Sequence, residues 1–344
     1  MVLTAKNRVA ILMHEGIKGH HGKTGLAFLR YSETNTVVLI DRTCVGESLT
    51  ALTGIDREVP IVATIADALV YHPDVLLIGI APSGGQLPND LEADLQQAVE
   101  ARLSIVNGLH SFLAPKFPNL SANQWIWDIR QELPNLSIGS GQARSLGNQR
   151  ILTVGTDMAI GKMSTSLELY RAATTQGIKA KFLATGQAGI AIAGTGIALD
   201  AVRVDFAAGA VEQKVLELSQ DSDLVIIEGQ GSLLHPGSTA TLPLIRGSQP
   251  TGLILVHRAG ATNIHDLPHV AIPPLPEVIR LYETVASGGG AFGKIKVKAI
   301  ALNTFGMDDT TAKGAIEDTQ QLTGLSCSDA VRFGGEFLLS AISI

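Results

Sequence analysis

The residues best equipped for chemistry lie between Ile151 and Leu167, in ILTVGTDMAIGKMSTSL. The apolar run Ile151–Val154 predicts a buried strand, Gly155 to Gly161 a turn, and Lys162 the first residue of a helix; a strand, glycine loop and helix in this order form a P-loop. Small residues let successive backbone N–H groups point into one concavity. The helix N-terminus adds partial positive charge, and a lysine adds a full one. A phosphate or pyrophosphate is the natural occupant, with Gly155, Thr156, Asp157, Gly161 and Lys162 as candidate contacts. Two departures from G-x-x-x-x-G-K-[ST] stand out. Five residues separate Gly155 from Gly161, and Met163 follows Lys162 where a hydroxyl would normally face Mg²⁺. Ser164 comes one place late, turned by about 100° around the helix; it stays a candidate contact. The loop suits phosphate, its metal ligand is open, and the plain alternative is a glycine-rich turn with a surface lysine.

Further candidates stand where other predicted strands end. The strand at Leu224–Ile227 runs into Glu228-Gly229-Gln230-Gly231-Ser232, that at Gly252–Val256 into His257-Arg258, and that at Val297–Leu302 into Asn303. Ligands of open α/β sheets gather at carboxyl ends of strands, which favours Glu228 and His257. A charge closing an apolar strand is costly unless used. Glu228, His235 and His257 are candidate bases. Arg203, Arg246 and Arg258 are candidate partners for substrate carboxylates, with ordinary surface or supporting roles as the alternative for these arginines and for His257. Asp157 and Glu228 would hold Mg²⁺ if a triphosphate is bound. His265 and His269 are four apart, but Asp266-Leu267-Pro268 between them argues against a helix and a zinc pair.

These residues need a scaffold, and the pattern predicts two. Short apolar runs at Val9–Met13, Thr36–Ile40, Pro60–Ala63, Val75–Ala81 and Ser104–Asn107 alternate with helical stretches, one of them from about Asp90 to Ala101, which predicts a Rossmann-like α/β domain. Its first loop, Gly19 to Gly25, reads G-x-x-G-x-x-G, and Asp41 follows 16 residues after Gly25. A dinucleotide fingerprint wants G-x-G-x-x-G, so NAD is poorly supported. Gly22 and Asp41 are candidate cofactor contacts, against a tight turn without ligand; His20 and His21 belong to the same loop. Residues 107–150 are less regular, hold both tryptophans (Trp125 and Trp127), and read as an inter-domain segment. The expected division is a Rossmann-like domain at 1–148 and a P-loop domain at 149–344.

Bulk numbers agree with this α/β class. The 344 residues are 45% hydrophobic, 17% charged and only 4% aromatic, which suits parallel sheets covered by helices. A net charge of −6 offers no basic field for nucleic acid or anionic membrane. Cys44 and Cys327 lie far apart, in keeping with a reducing compartment. No apolar run approaches the roughly 18 residues of a membrane span, and a cytoplasmic protein is expected.

Family resemblances sharpen these expectations. The first glycine loop is similar to that of the CoA-binding domain of the succinyl-CoA synthetase α-subunit, which cradles CoA phosphates. GTDMAIGKMS, IIEGQGS and ALNT, in that order, resemble the dethiobiotin synthetase group. That likeness implies ATP phosphates in the loop, Mg²⁺ on Glu228, the base beside Asn303, and a homodimer. Nearly the whole chain resembles the family of D-glutamate N-acetyltransferases, through GTDMAIGK, Leu183–Ile197, Asp205–Glu212 and Val225–Pro236. This implies transfer of an acetyl group from acetyl-CoA to the amine of D-glutamate or a related amino acid; for that chemistry the candidates chosen from residue type and position are Glu228, His235 and Lys162 as catalytic groups and Arg203, Arg258 and His257 on the substrate. CoA needs a phosphate cradle but no triphosphate metal, which would make Met163 intelligible. An ATP/Mg-dependent ligase or kinase and a non-catalytic nucleotide- or CoA-binding protein are the competing readings.

Overall fold

A computed structural model describes residues 3–82 and 91–342. The chain divides into two compact units, one of Met1–Gln131 with Gln187–Ala198, the other of Glu132–Gly186 with Leu199–Ile344. The boundary expected at 148 therefore lies inside the second unit.

The first unit is built from β1 (Arg8–Leu12), α1 (Lys23–Tyr31), β2 (Asn35–Ile40), α2 (Leu49–Thr53), β3 (Ile61–Val62), α3 (Ile65–Ala68), β4 (Val75–Ile78), α4 (Glu92–Glu100), β5 (Ser104–Asn107) and β6 (Ile126–Asp128). Its six strands are parallel in the order β3-β2-β1-β4-β5-β6, the order of dinucleotide-binding doubly wound sheets. Alternate strand residues explain the two helical layers. Ala10, Leu12, Val38, Ile40, Leu76 and Ile78 pack with Ile65, Ala68, Leu95 and Ala98. Ile11, Leu39 and Leu77 are equally buried on the other face, so each strand reads as a continuous apolar run. At about 1.5–3 kcal/mol per buried aliphatic side chain, these layers outweigh any local propensity.

The second unit comprises β7 (Gln149–Gly155), α5 (Lys162–Thr175) and β8 (Ala180–Leu183); α6 (Gln187–Ala193) then belongs to the first unit. The chain continues with α7 (Val204–Leu218), β9 (Leu224–Ile227), α8 (Thr241–Ser248), β10 (Gly252–Arg258), a hairpin of β11 (Asn263–Ile264) and β12 (Leu267–Ala271), α9 (Leu275–Ser287), β13 (Val297–Asn303), α10 (Asp309–Thr323), β14 (Ser326–Ser328), α11 (Ala330–Phe333) and α12 (Glu336–Ser340). The parallel sheet runs β14-β13-β10-β7-β9-β8. β7 is thus central, with β9 on one side and β10 on the other. Ile151, Ile226, Ile254 and Ala299 pack with Leu169, Ala172 and Ala173 of α5 and with Leu338 and Leu339 of α12.

Two expectations are corrected, and one helix carries no sequence signal. The stretch read as an inter-domain segment contains β6, an edge strand paired through Val106↔Trp127 and Asn107↔Asp128. Three residues are too few to show a period, and the tryptophans are half-buried on this edge. The glycine-spaced stretch after Gly186 opens with helix α6, hidden because Gly and Ala mask its periodicity. Val75–Ala81 is a strand only to Ile78. The helix start expected at Asp90 lies outside the described residues.

Candidate active site

Strand register brings the candidates to one end of the second sheet. Leu152 pairs with Ile227 and Gly155 with Val256, while Arg258 pairs with Asn303, so Glu228, Thr156, His257 and Asn303 all emerge at the carboxyl edge. The loop from Gly155 passes through Ala159 at φ 54° and Gly161 at φ 110° before α5 begins. A left-handed alanine costs about 1–2 kcal/mol; such strain collects where a loop is held for a ligand.

Lys162 turns back beneath this loop. Its Nζ donates to the Asp157 carbonyl at 2.6 Å, and its Cδ lies 3.1 Å from where a Cβ on Gly229 would stand. That same Cβ would sit 1.8 Å from the Thr153 carbonyl oxygen, so only glycine lets the Glu228 loop cross β7. The Gly229 N–H is held by Thr153 Oγ1 at 2.8 Å, and Thr153 Oγ1 meets Ser166 Oγ at 3.0 Å. Burial pushes the Lys162 ammonium down to about 8, opposed by the carboxylates of Asp157 and Glu228.

Glu228 is 2% exposed. Its Oε2 accepts the N–H groups of Thr185 (2.9 Å) and Gly186 (3.4 Å), and its Oε1 accepts Gln230 Nε2 at 2.9 Å. Burial nevertheless pushes its carboxyl up to about 7, against the backbone donors, the Lys162 charge and Gln230. A buried acid and a buried amine whose protonation changes near neutrality thus lie within electrostatic reach of one another at the loop. Such opposed shifts mark groups suited to moving a proton.

The remaining candidates take different places. Asp157 Oδ1 accepts the Met158 N–H at 2.6 Å and Oδ2 the His265 N–H at 2.8 Å, so this carboxylate ties the loop to the β11–β12 hairpin. His257 is buried, meets Thr156 Oγ1 through Nδ1 at 2.9 Å, and is held down to about 4 by burial. It is neutral at physiological pH: a holder of the Thr156 hydroxyl rather than a cation for carboxylates. His235 Nδ1 accepts the Gly237 N–H at 3.0 Å within its own turn. Asn303 Nδ2 donates to the Ile160 carbonyl at 2.9 Å, fastening the P-loop to β13. Ser164 is half-buried on α5. Arg203 pairs with Glu132 at 3.0 Å and stands at the start of α7. Arg246 donates to the Val285 carbonyl and stacks on Phe292. Arg258, exposed at the end of β10, has no ion pair among the described residues.

Tyr282 of α9 escaped the sequence reading. Fully buried, its hydroxyl donates to the Gly155 carbonyl at 2.7 Å and accepts the Leu233 N–H at 3.0 Å, joining the P-loop to the Glu228 loop. A tyrosine at one apolar position of an amphipathic helix carries no sequence signal for that role.

As for Mg²⁺, the donor set does not fit. Met163 brings no hydroxyl, and no cluster of three metal-ligating side chains occurs among the described residues.

In the first unit, Gly22 caps α1, and a Cβ there would meet the Gly16 carbonyl oxygen at 2.1 Å. Asp41, fully buried, accepts Glu15 N, Ile17 N, and both N and Oγ1 of Thr43. Burial alone would raise its carboxyl; the Thr43, Ile17 and Glu15 donors bring it below the usual range. Its oxygens hold the turn at Glu15–Ile17 that leads into the glycine loop.

Comparison with known families agrees with this architecture. Residues 137–339 match the family described as "Domain of unknown function (DUF1611_C) P-loop domain", and residues 42–132 match its N-terminal Rossmann-like domain. The chain belongs to the DUF1611 family. A DUF1611 crystal structure from Anabaena variabilis is 62% identical, with a TM-score of 0.96 over 98% of this chain and 99% of that one. Two relatives bear the name D-glutamate N-acetyltransferase. That from Pseudoalteromonas sp is 34% identical, over 86% of this chain and 89% of its own. That from Tritonibacter scottomollicae is 33% identical, over 81% and 84%. No helix among the described residues is long and apolar enough to cross a membrane.

Proposed function

We propose that this protein transfers an acetyl group from acetyl-CoA to the amine of D-glutamate or a closely related amino acid. The observation that carries the reading is the buried Glu228–Lys162 pair, near 7 and 8, set under a glycine loop at the end of β7. The loop N–H groups and the α5 N-terminus hold a CoA phosphate or pyrophosphate without a metal. Glu228, as carboxylate, takes a proton from the acceptor ammonium. The freed amine attacks the thioester carbonyl, the C–S bond breaks, and the CoA thiolate leaves and regains a proton. Arg258 supplies the cation for an acceptor carboxylate. The names of the two relatives support this reaction class. The ATP-dependent alternative is disfavoured by Met163 at the position of the Mg²⁺-facing hydroxyl.

Ligand-induced stabilisation tests the donor. A ligand at 100 times its Kd adds about 2.7 kcal/mol, several degrees in Tm. Acetyl-CoA in EDTA should raise Tm by that much, and Mg·ATP should not. A rise with Mg·ATP alone would replace acyl transfer by ligase or kinase chemistry.

A further inference from the structure

Phe305 is 82% exposed, more than any other large apolar side chain among the described residues. The backbone that carries it is held at Phe305 itself and at the residues around it. Its N–H donates to Asn303 Oδ1 at 3.0 Å, and the other end of the same carboxamide holds the Ile160 carbonyl of the P-loop at 2.9 Å. The preceding residue, Thr304, is fully buried and donates through both N and Oγ1 to Asp329 Oδ2, at 2.8 and 2.6 Å. Arg332 then donates to the Thr304 hydroxyl (3.1 Å), the Thr304 carbonyl (3.3 Å) and the Met307 carbonyl (2.7 Å), and pairs with Asp309. A phenyl ring is therefore presented to solvent from a held backbone, one carboxamide away from the phosphate loop, at the carboxyl edge of the sheet.

An exposed aromatic face beside an anion cradle matches the two ends of an adenine nucleotide, a flat base and its phosphates. We propose that Phe305 is the stacking platform for the adenine ring of the nucleotide whose phosphates lie in the Gly155–Lys162 loop. The proposal rests on reading that loop as a phosphate cradle. It holds for the adenosine of CoA and for ADP alike, and it reassigns Asn303 from touching the base to positioning the residue that does.

The test uses the full chain and three probes: CoA, ADP, and 4′-phosphopantetheine, which lacks adenosine. Stacking of one base is worth about 1–3 kcal/mol on alanine substitution, that is, about 5- to 150-fold in affinity. Phe305→Ala should weaken the adenine nucleotides that the wild type binds by at least fivefold and leave 4′-phosphopantetheine unchanged. Phe305→Trp should restore the affinity and show its indole emission quenched by CoA or ADP. Three results would overturn the proposal: unchanged CoA and ADP affinity in Phe305→Ala, equal loss for all three probes, or a wild type that binds neither adenine nucleotide. A change of oligomeric mass in Phe305→Ala with unchanged affinity would make the ring a subunit contact, and also refute it. Phe305-dependent binding of ADP with no binding of CoA would uphold the platform and refute the acyl-CoA donor.

Discussion

Replacing Glu228 by glutamine removes one titrating group and keeps its shape, so its effect can be worked out in advance. The Glu228 carboxyl stands at about 7 in the fold against an ordinary 4.5. At 1.36 kcal/mol per pH unit this is about 3 kcal/mol. A raised acid binds its proton more tightly folded than unfolded. Its stabilisation is therefore complete below pH ~4.5 and lost as pH rises through about 7. Lys162, pushed from 10.5 to about 8, has the opposite sign: the cost of burying its ammonium is relieved as pH rises from 8 toward 10.5. The pair thus gives the wild type a stability minimum between about pH 7 and 8. Glu228→Gln should abolish the descending limb, gaining ~3 kcal/mol on the wild type between pH 4.5 and 8. Denaturant unfolding followed by circular dichroism at several pH values reads this directly. Wild-type and Glu228→Gln curves that run parallel over that range would refute a carboxyl raised by burial. In turnover, loss of a general base should lower kcat by about 10²–10⁴ and flatten the acid limb of the pH profile. A variant within threefold of wild-type kcat would remove Glu228 from the chemistry.

Other substitutions probe the frame around this pair. Gly229→Ala places a methyl 1.8 Å from the Thr153 carbonyl oxygen and should cost more than ~3 kcal/mol or prevent folding; Gly147→Ala, where a Cβ meets open space, should leave Tm within a degree or two. Tyr282→Phe leaves the Gly155 carbonyl and Leu233 N–H without their partner, and calorimetry should show a loss of about 1–3 kcal/mol. Asp41→Asn weakens four donors in the first unit. Because the Asp41 carboxyl is held below 3.8, its stabilisation is present above that pH and lost as pH falls through the lowered value, so wild type and variant should converge in acid.

How much of this was legible beforehand depends on the length scale of each signal. β7, its glycine loop and α5 could be read because an apolar run, a glycine-bounded turn and a Gly-Lys pair coincide within a few residues. The carboxyl-edge position of Glu228, His257 and Asn303 followed from each ending an apolar strand. Their roles did not follow. That Asp157 accepts the His265 N–H, or that His257 holds Thr156, depends on backbone and side-chain partners about a hundred positions away. β6 and α6 were missed because three residues, or a run of Gly and Ala, show no period. Tyr282 and Phe305 belong to the same class, apolar letters whose meaning is set by tertiary partners.

The central claim is that the buried Glu228–Lys162 pair serves acyl transfer. It is tested most directly by incubating the protein with acetyl-CoA and D-glutamate in EDTA, without ATP, and measuring free thiol and N-acetyl-D-glutamate together. Equal amounts of both products are expected, lost in Glu228→Gln. ADP formed from Mg·ATP in the presence of an amino acid, with no thiol released from acetyl-CoA, would contradict it.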